Sequence, residues 1–267
     1  MTVTVADLID ILDQIAPPVL SEEWDNIGLQ VGKRDWPVKT LWISLDPTPA
    51  VVAAACEAGV DLLVTHHPLW LKPPKTIDFA TPQGNIILQS ALHRLSIFSA
   101  HTNLDSVTDG INDLLASRLG LTALSPLLPA PGGGGEGIGR VGVFARPAKI
   151  AALAGTIRQM LGVASVRYCG DPDMVVRRAA VCSGSGSSLM GAFFASGADV
   201  YISGDLRYHD ARDAEAVGRG LIDMGHFASE HFIVGVLADR LRKVLEKRSL
   251  RVLVVECPLE KDPFVSI

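Results

Sequence analysis

The chain has 267 residues, of which 48% are hydrophobic, and its formal net charge is −5. This length allows one large or two modest domains with a well-buried core. The sequence lacks the apolar run of about 20 residues that a membrane span needs, and its first residues lack the basic and apolar stretches of a secretory signal. The negative charge, with no basic block to offset it, disfavours nucleic acids and anionic membranes as partners.

The cysteines occur singly, at Cys56, Cys169, Cys182 and Cys257. None forms a C-x-x-C pair, and Cys56 and Cys182 lie in apolar segments, where a thiol behaves as a small hydrophobic group. We therefore expect a reducing, cytoplasmic location, with neither disulfides nor a cysteine-based zinc site.

The first half of the chain alternates predicted strands and helices. A helix is predicted at Val5–Ile15, behind Thr4 as its N-cap, and Pro17-Pro18 ends it. Strands are predicted at Lys39–Leu45, Val60–Thr65 and Leu95–Ala100, and further helices at Pro49–Ala58 and Gly110–Leu119. This βαβ order predicts parallel strands, with the loops after them available for a site.

One segment breaks the composition. Residues 129–137 contain five glycines and two prolines and predict a flexible linker or an exposed loop. We place the domain boundary there, with a first α/β lobe at 1–128 and a second at 138–267.

The second half repeats the pattern of the first. Residues 39–65 match 177–203 at a constant offset of 138, with strand, helix, Gly, Asp and strand at the same spacing. A second correspondence, at an offset of 125, places His101 beside His226 and Asp105 beside Glu230. We predict the α/β fold class, with two similar lobes that have mixed sheets. If the repeat is structural, a pseudo-two-fold axis relates the lobes and the metal site lies between them.

Histidines and carboxylates cluster at predicted strand ends. His66 and His67 follow an apolar strand, and they serve two ions or straddle a turn that Pro68 begins, because neighbours on a strand point to opposite faces. His226 and Glu230 are four residues apart, on one face of a helix, and Asp105 adds a second carboxylate.

This donor set predicts metal binding. Three imidazoles and two carboxylates suit zinc, manganese, iron, cobalt or nickel. Five side chains exceed the needs of one four-coordinate catalytic ion, so with a bridging carboxylate they predict two divalent ions about 3.5 to 4 Å apart. Any one of these histidines taken alone could instead be a hydrogen-bonded core residue.

Four segments carry a family resemblance: WDNIGL at 24–29, THHP at 65–68, HTNLD at 101–105 and GHFASE at 225–230. Together they resemble the NIF-three-like dinuclear metal-centre family, often labelled GTP cyclohydrolase 1 type 2 homologues. The resemblance implies a two-lobed α/β subunit, a hexameric ring and a dinuclear site facing its interior. By this resemblance, the metal ligands are expected to be His66, His67, Asp105, His226 and Glu230, with Glu230 bridging the two ions.

The resemblance does not clearly make His101 a ligand, whereas the repeat pairs it with His226. We rank His101 as a residue that supports a ligand or carries protons. His209, in the loop that corresponds to His66-His67-Pro68, is a candidate general acid or a solvated loop histidine. Asp25 is a turn residue or a hydrogen-bond acceptor behind a ligand.

Two glycine-containing motifs are open to a simpler interpretation. GIGRVG at 137–142 fits the dinucleotide-binding pattern, but no strand precedes it and a strand, not a helix, is predicted at Val141–Ala145. We interpret it as a close-packed loop in which Arg140 could face an anionic ligand. SGSGSS at 183–188 could bind a phosphate at a helix start or form a plain capped turn.

We therefore predict a dinuclear metal-binding protein, a hydrolase that acts on a small anionic molecule such as a nucleotide. His101 and His209 are its candidate catalytic residues, and a homo-oligomer, by resemblance a hexamer, is expected. The alternative is a non-catalytic metal-binding oligomeric scaffold or regulator. Closed metal coordination would favour that alternative, whereas open, water-bearing positions would favour catalysis.

Overall fold

The chain folds into two units, each built on its own β-sheet. The structure is a computed structural model and describes residues 2–265. Of these residues, the first unit contains 2–104 together with His231–Lys261, and the second contains Asp105–Glu230 together with 262–265.

The strands, in chain order, are β1 (Gly28–Val31), β2 (Thr40–Ser44), β3 (Leu62–Thr65), β4 (Ser96–Ser99), β5 (Leu121–Pro129), β6 (Gly137–Lys149), β7 (Arg167–Cys169), β8 (Val175–Ser185), β9 (Val200–Gly204), β10 (Gly220–Asp223) and β11 (Leu253–Glu256). The α-helices are α1 (Val5–Ile15), α2 (Pro49–Glu57), α3 (Pro82–His93), α4 (Thr102–Ser106), α5 (Ile111–Arg118), α6 (Ile150–Leu161), α7 (Met190–Ser196), α8 (Tyr208–Ala216), α9 (His226–Glu230) and α10 (Phe232–Lys247). Short 3-10 helices cover Pro18–Leu20 and Ser187–Leu189.

The helix starts of the first unit follow from local chemistry. Thr4 and Asp7 form a capping box at α1: the Thr4 hydroxyl accepts from Asp7 N at 3.4 Å, and the Asp7 carboxylate accepts from Thr4 N at 2.8 Å. Helices α2 and α3 each begin with a proline behind a threonine whose hydroxyl accepts a backbone N–H bond, at Thr48 and Thr81. The predicted α1 is confirmed to the residue.

The first sheet has the strand order β1-β4-β3-β2-β11. Strands β11, β2, β3 and β4 are parallel, and β1 is antiparallel to β4. Every residue of β3 and β4 is buried, as expected for parallel strands covered on both faces. Because β2, β3 and β4 are parallel, their carboxyl ends share one edge of the sheet, and the segments after them lie there.

The second sheet has the strand order β5-β6-β8-β9-β10-β7. Strands β8, β9 and β10 are parallel, whereas β5, β6 and β7 pair in antiparallel fashion. Its core includes the stacked rings of Phe193 and Tyr201, with centroids 5.3 Å apart. Both sheets are therefore mixed, which confirms the predicted fold class in this respect. The pseudo-two-fold axis stays a prediction.

The glycine-rich segment does not divide the units. Residues 129–137 connect β5 to β6, which form an antiparallel hairpin inside the second unit. Gly132 to Gly135 all have φ between 71° and 105°, a conformation that glycine adopts without strain. The exposed-loop interpretation was right, but the boundary at 128–138 was wrong, since composition does not distinguish an interdomain linker from a hairpin turn.

The internal repeat recurs in local structure. The Asp61 carboxylate accepts from the backbone N–H groups of Lys39 and Thr40, and the Asp199 carboxylate accepts from those of Arg177 and Arg178. These residues are separated by the predicted offset of 138. In each unit, this aspartate fixes the start of one strand beside the start of the next.

The second correspondence is shifted by one residue. Ala100 N donates to Thr65 O, and Met224 N donates to Ser203 O, which gives an offset of 124 in place of 125. Helices α4 and α9 start at the same offset. By this register, His226 corresponds to Thr102 and not to His101.

Within residues 2–265, no helix combines the length and apolar character needed to cross a membrane.

Candidate metal centre

His66 and His67 directly follow β3 at the carboxyl edge of the first sheet. The backbone pairing of β2 and β3 continues into them, because His66 N donates to Ser44 O at 3.2 Å and His67 N donates to Leu45 O at 2.9 Å. The chain bends at these two residues, and their ring centroids lie 5.0 Å apart. The bend allows adjacent imidazoles to approach each other, as the turn interpretation required.

The imidazole orientations are fixed through Nδ1. His66 Nδ1 lies 2.9 Å from Ala100 O, and His67 Nδ1 lies 2.8 Å from an oxygen of Asp46. A carbonyl or carboxylate oxygen only accepts, so Nδ1 carries the proton in both rings. In the neutral imidazole, Nε2 is then the nitrogen whose lone pair could bind a metal.

His101 is held in the same way. Its Nδ1 donates to Asp25 Oδ1 at 2.9 Å, and the other oxygen of Asp25 accepts from Thr102 N at 3.0 Å and from the Thr102 hydroxyl at 2.5 Å. Burial opposes ionisation of Asp25, but the hydrogen bonds and charge of His101 and the bonds from Thr102 outweigh it and lower its pKa to about 2. Asp25 is thus an ionised acceptor behind His101, one of the two roles predicted for it.

The first unit therefore gathers three imidazoles. Ligand atoms of His66, His67 and His101 all lie within 4.8 Å of one another. The sequence grouped His66 and His67 but ranked His101 behind the ligands. The geometry places it among the side chains that could hold an ion.

The second unit contributes His226 and Glu230 from α9. His226 Nε2 lies 3.0 Å from a Glu230 oxygen, as the spacing of four on a helix predicts. His226 Nδ1 donates to Asp205 at 2.7 Å, so this ring, like the other three, has Nδ1 engaged.

Gly184 leaves room for this pair. A Cβ atom built on Gly184 would lie 2.1 Å from Glu230 Oε1 and 3.3 Å from His226 Nε2, and its φ is +61°. Gly184 N also donates to the Ser229 hydroxyl at 2.9 Å. The SGSGSS segment therefore supports α9 by close backbone approach, a role distinct from both the phosphate loop and the plain turn.

Asp105 lies in α4, and its carboxylate and that of Glu230 each place an oxygen within 4.8 Å of the other. Both residues are buried, at 9% and 4% exposure. Burial and, after it, the charges of Asp105 and Glu230 raise the pKa of the Cys182 thiol, which stays protonated. Two buried carboxylates this close repel each other, and a divalent cation would balance their charge.

The donor set fits a divalent metal. Four imidazoles with Nδ1 engaged and two buried carboxylates are the groups that borderline transition metals bind. The residues that could hold an ion are His66, His67 and His101 in the first unit and Asp105, His226 and Glu230 in the second.

Comparison with known proteins decides the family. The family model Duf34/NIF3 (NGG1p interacting factor 3) matches residues 3–263. The chain belongs to the Duf34/NIF3 family. The resemblance in the four sequence segments is thereby confirmed.

Several relatives of this Duf34/NIF3 chain cover nearly its whole length or all of it. A GTP cyclohydrolase 1 type 2 homolog of Clostridium perfringens is 35% identical over 258 residues, 97% of each chain. The crystal structure of Staphylococcus aureus protein SA1388 is 27% identical with a TM-score of 0.90, covering 99% of both chains. A Bacillus cereus protein related to NIF3 has a TM-score of 0.91 at 24% identity over 100% of both chains, which shows the shared fold.

Two residues and one segment of this family member lie in surroundings that differ from those predicted from the sequence. His209 lies exposed in α8, not in a loop, with its ring 5.4 Å from that of Tyr208. Arg140 is 1% exposed and donates to Asp113 and to the carbonyls of Gly137 and Gly139, so the suggestion that it faces an anionic ligand was wrong. The GIGRVG segment is close-packed, as predicted, but inside strand β6 and not in a loop.

Two carboxylates behind the histidines were not predicted. Asp46 follows β2 and Asp205 follows β9, and each accepts from a histidine that follows a neighbouring strand. The signal available in the sequence is an aspartate within two residues of a buried strand's end, at the edge where the histidines also lie.

Proposed function

We propose that this Duf34/NIF3 chain is a metal-dependent hydrolase in which His66, His67, Asp105, His226 and Glu230 hold two divalent ions. The ions would be zinc, manganese, iron, cobalt or nickel, and by family resemblance Glu230 would be a ligand shared by both. The observation that carries the proposal is that His66, His67, His101 and His226 are all held through Nδ1, so that Nε2 is in each ring the nitrogen that would coordinate an ion.

Bound divalent ions would supply an acidified water at neutral pH and polarise an electrophilic bond of the substrate. The chain's own residues orient the ligands and move protons. Asp46, Asp25 and Asp205 keep three of the rings in the tautomer that coordinates through Nε2. Buried Asp105 and Glu230 supply the negative charge that favours a dication over a monovalent one.

His101 has two possible roles, and Asp25 bears on both. Ionised Asp25 accepts from Nδ1, so His101 Nε2 takes up or releases a proton while the ring keeps its orientation. His101 is thus our first candidate for proton relay, and it becomes a ligand if an ion sits within the His66, His67, His101 group. His209, exposed on α8, is the second candidate for general acid.

A nucleotide is the proposed substrate class. The support is that curated relatives, including the Clostridium perfringens protein, are named GTP cyclohydrolase 1 type 2 homolog. GTP is therefore the first compound to test, followed by other nucleotides and by phosphoesters. The proposed assembly is a homo-oligomer, a hexamer by family resemblance.

The first experiment is elemental analysis of untagged, gel-filtered protein, with mass photometry of the same sample. We expect about two transition-metal ions per chain and loss of both in His66→Ala/Glu230→Ala. Asp239→Ala, an exposed carboxylate in α10, is the matched control and should keep the metal. Absence of metal after reconstitution with zinc, manganese, iron, cobalt and nickel would refute the metal centre.

The second experiment measures turnover of GTP and the substrate panel by the metal-loaded protein. Activity that disappears in His66→Ala/Glu230→Ala and survives in Asp239→Ala supports the hydrolase. Activity that persists in the double variant would refute the site. A metal-loaded oligomer without turnover, and with closed coordination, would favour the scaffold or regulator instead.

A further inference from the structure

Glu260 is a carboxylate far along the chain from the metal-binding histidines, yet it contacts their surroundings. It lies after β11 within the first unit. Its side chain is 4% exposed. A glutamate this buried needs hydrogen-bond donors that balance its charge.

The donors are two consecutive backbone N–H groups. Leu45 N donates to both oxygens of Glu260, at 2.7 and 2.9 Å, and Asp46 N donates to Oε1 at 2.9 Å. His231 Nε2 lies 3.5 Å from Oε2 on the other side of the carboxylate. Glu260 thus fixes the two residues that directly follow the end of β2.

The same two residues hold His67. Leu45 O accepts from His67 N at 2.9 Å, and an oxygen of Asp46 lies 2.8 Å from His67 Nδ1. The backbone and the ring of His67 are therefore both attached to a dipeptide whose N–H side is attached to Glu260. The Asp46 side chain itself is 42% exposed, so packing alone does not fix its position.

We propose that Glu260 is a positioning residue for the metal ligand His67, acting through Leu45 and Asp46. By anchoring the backbone of Asp46, it holds that carboxylate against Nδ1 and keeps the His67 lone pair on Nε2. This inference rests on the proposed metal centre for its purpose, but its structural part concerns His67 in metal-free protein as well.

The test compares Glu260→Ala, Glu260→Gln and the control Glu256→Ala. Glutamine keeps an oxygen that can accept from both Leu45 N and Asp46 N, whereas alanine removes every acceptor. Glu256 is an exposed carboxylate four residues earlier, paired with Arg242, so its removal reports effects of losing any acidic side chain near the end of β11.

Nitrogen-15 NMR of metal-free protein labelled on histidine reads the tautomer directly, with His67 assigned by signal loss in His67→Gln. We expect wild type, Glu260→Gln and Glu256→Ala to show His67 protonated on Nδ1, and Glu260→Ala to show a mixture of tautomers. An unchanged His67 tautomer in Glu260→Ala, or an equal change in Glu256→Ala, would overturn the inference.

Cobalt binding, measured by chelator competition and by visible absorption, provides the second reading. Removing a partner behind a ligand typically weakens metal binding about 10- to 100-fold, so we expect a loss of about 10-fold in Glu260→Ala with altered cobalt bands. Asp46→Ala/Glu260→Ala should bind no more weakly than Asp46→Ala, because both act on one contact. If the losses of cobalt affinity in the two single variants simply add in the double variant, the inference is overturned. If the wild-type protein binds no cobalt, the metal centre is refuted, and the NMR experiment alone decides the role of Glu260.

Discussion

Removing the carboxylate of Asp113 should destabilise the second unit strongly. The perturbation is Asp113→Ala, which leaves the guanidinium of Arg140 without its ionic partner. Arg140 is 1% exposed, and its Nε and one terminal nitrogen donate to the two oxygens of Asp113 at 2.5 and 2.8 Å. The variant therefore measures the structural role that Arg140 has in place of the predicted contact with an anionic ligand.

The magnitude follows from what remains around the cation. Loss of one partner from a buried ion pair costs about 3–5 kcal/mol. Arg140 still donates to the carbonyls of Gly137 and Gly139, at 2.5 and 2.8 Å, and more weakly to those of Ser106 and Val107. These acceptors place the expected loss near the lower end, about 3 kcal/mol in the free energy of unfolding.

Urea unfolding followed by circular dichroism, together with thermal melts, measures this loss. For a chain of this size, about 3 kcal/mol corresponds to a fall in Tm of roughly 6–12 °C. Asp239→Ala removes the exposed partner of Arg242 and should change stability by less than about 1 kcal/mol. Asp113→Leu/Arg140→Met, which removes both charges, should recover most of the loss. A loss below about 1 kcal/mol in Asp113→Ala would refute the reasoning.

Three further predictions concern the metal-binding side chains and the repeated aspartates. Gly184→Ala should weaken cobalt binding in chelator competition, because its Cβ would lie 2.1 Å from Glu230 Oε1; Gly191→Ala, on α7 with open space around it, should leave binding unchanged. Asp25→Asn should destabilise metal-free protein by about 2 kcal/mol at neutral pH, since the pKa of Asp25 is lowered from 3.8 to about 2. Because the pKa of Asp25 is lowered in the folded state, its ionisation stabilises the fold fully above pH 3.8 and progressively less as the pH falls toward 2. The difference in the free energy of unfolding between wild type and Asp25→Asn should therefore shrink from pH 6 to pH 3 in urea unfolding. A difference that stays constant over this range would contradict the assignment. Asp61→Ala and Asp199→Ala should each cost about 1.5–3 kcal/mol in urea unfolding, because each carboxylate accepts two backbone N–H bonds; clearly unequal losses would argue against equivalent roles.

The elements that the sequence predicted are those with strong local signals. α1 has a capping box and a full apolar face, and β3 is an unbroken apolar run between a glycine turn and the histidines. β1 was not predicted, because it has only four residues, all half-buried, and it lacks an apolar pattern. The hairpin of β5 and β6 was missed because the turn between them was interpreted as a linker.

The candidate ligands followed from residue type and spacing, whereas their supports did not. His226 and Glu230 lie within one helix, so the helical repeat alone brings them together. Asp46 and His67 meet because β2 and β3 are neighbours in register, and Glu260 reaches Leu45 over a separation of 215 residues. Such contacts depend on strand order, which single-sequence periodicity does not contain.

The division of the chain bears on the order of folding during synthesis. The second unit is formed almost entirely by the uninterrupted run Asp105–Glu230, whereas the first needs α10 and β11 from His231–Lys261. On the ribosome, the second sheet can therefore form before β11 has been synthesised. Until then, the edge of β2 that pairs with β11 stays unpaired. Glu260 emerges after both, so the anchoring of Asp46, and through it of His67, cannot form until residue 260 has left the exit tunnel.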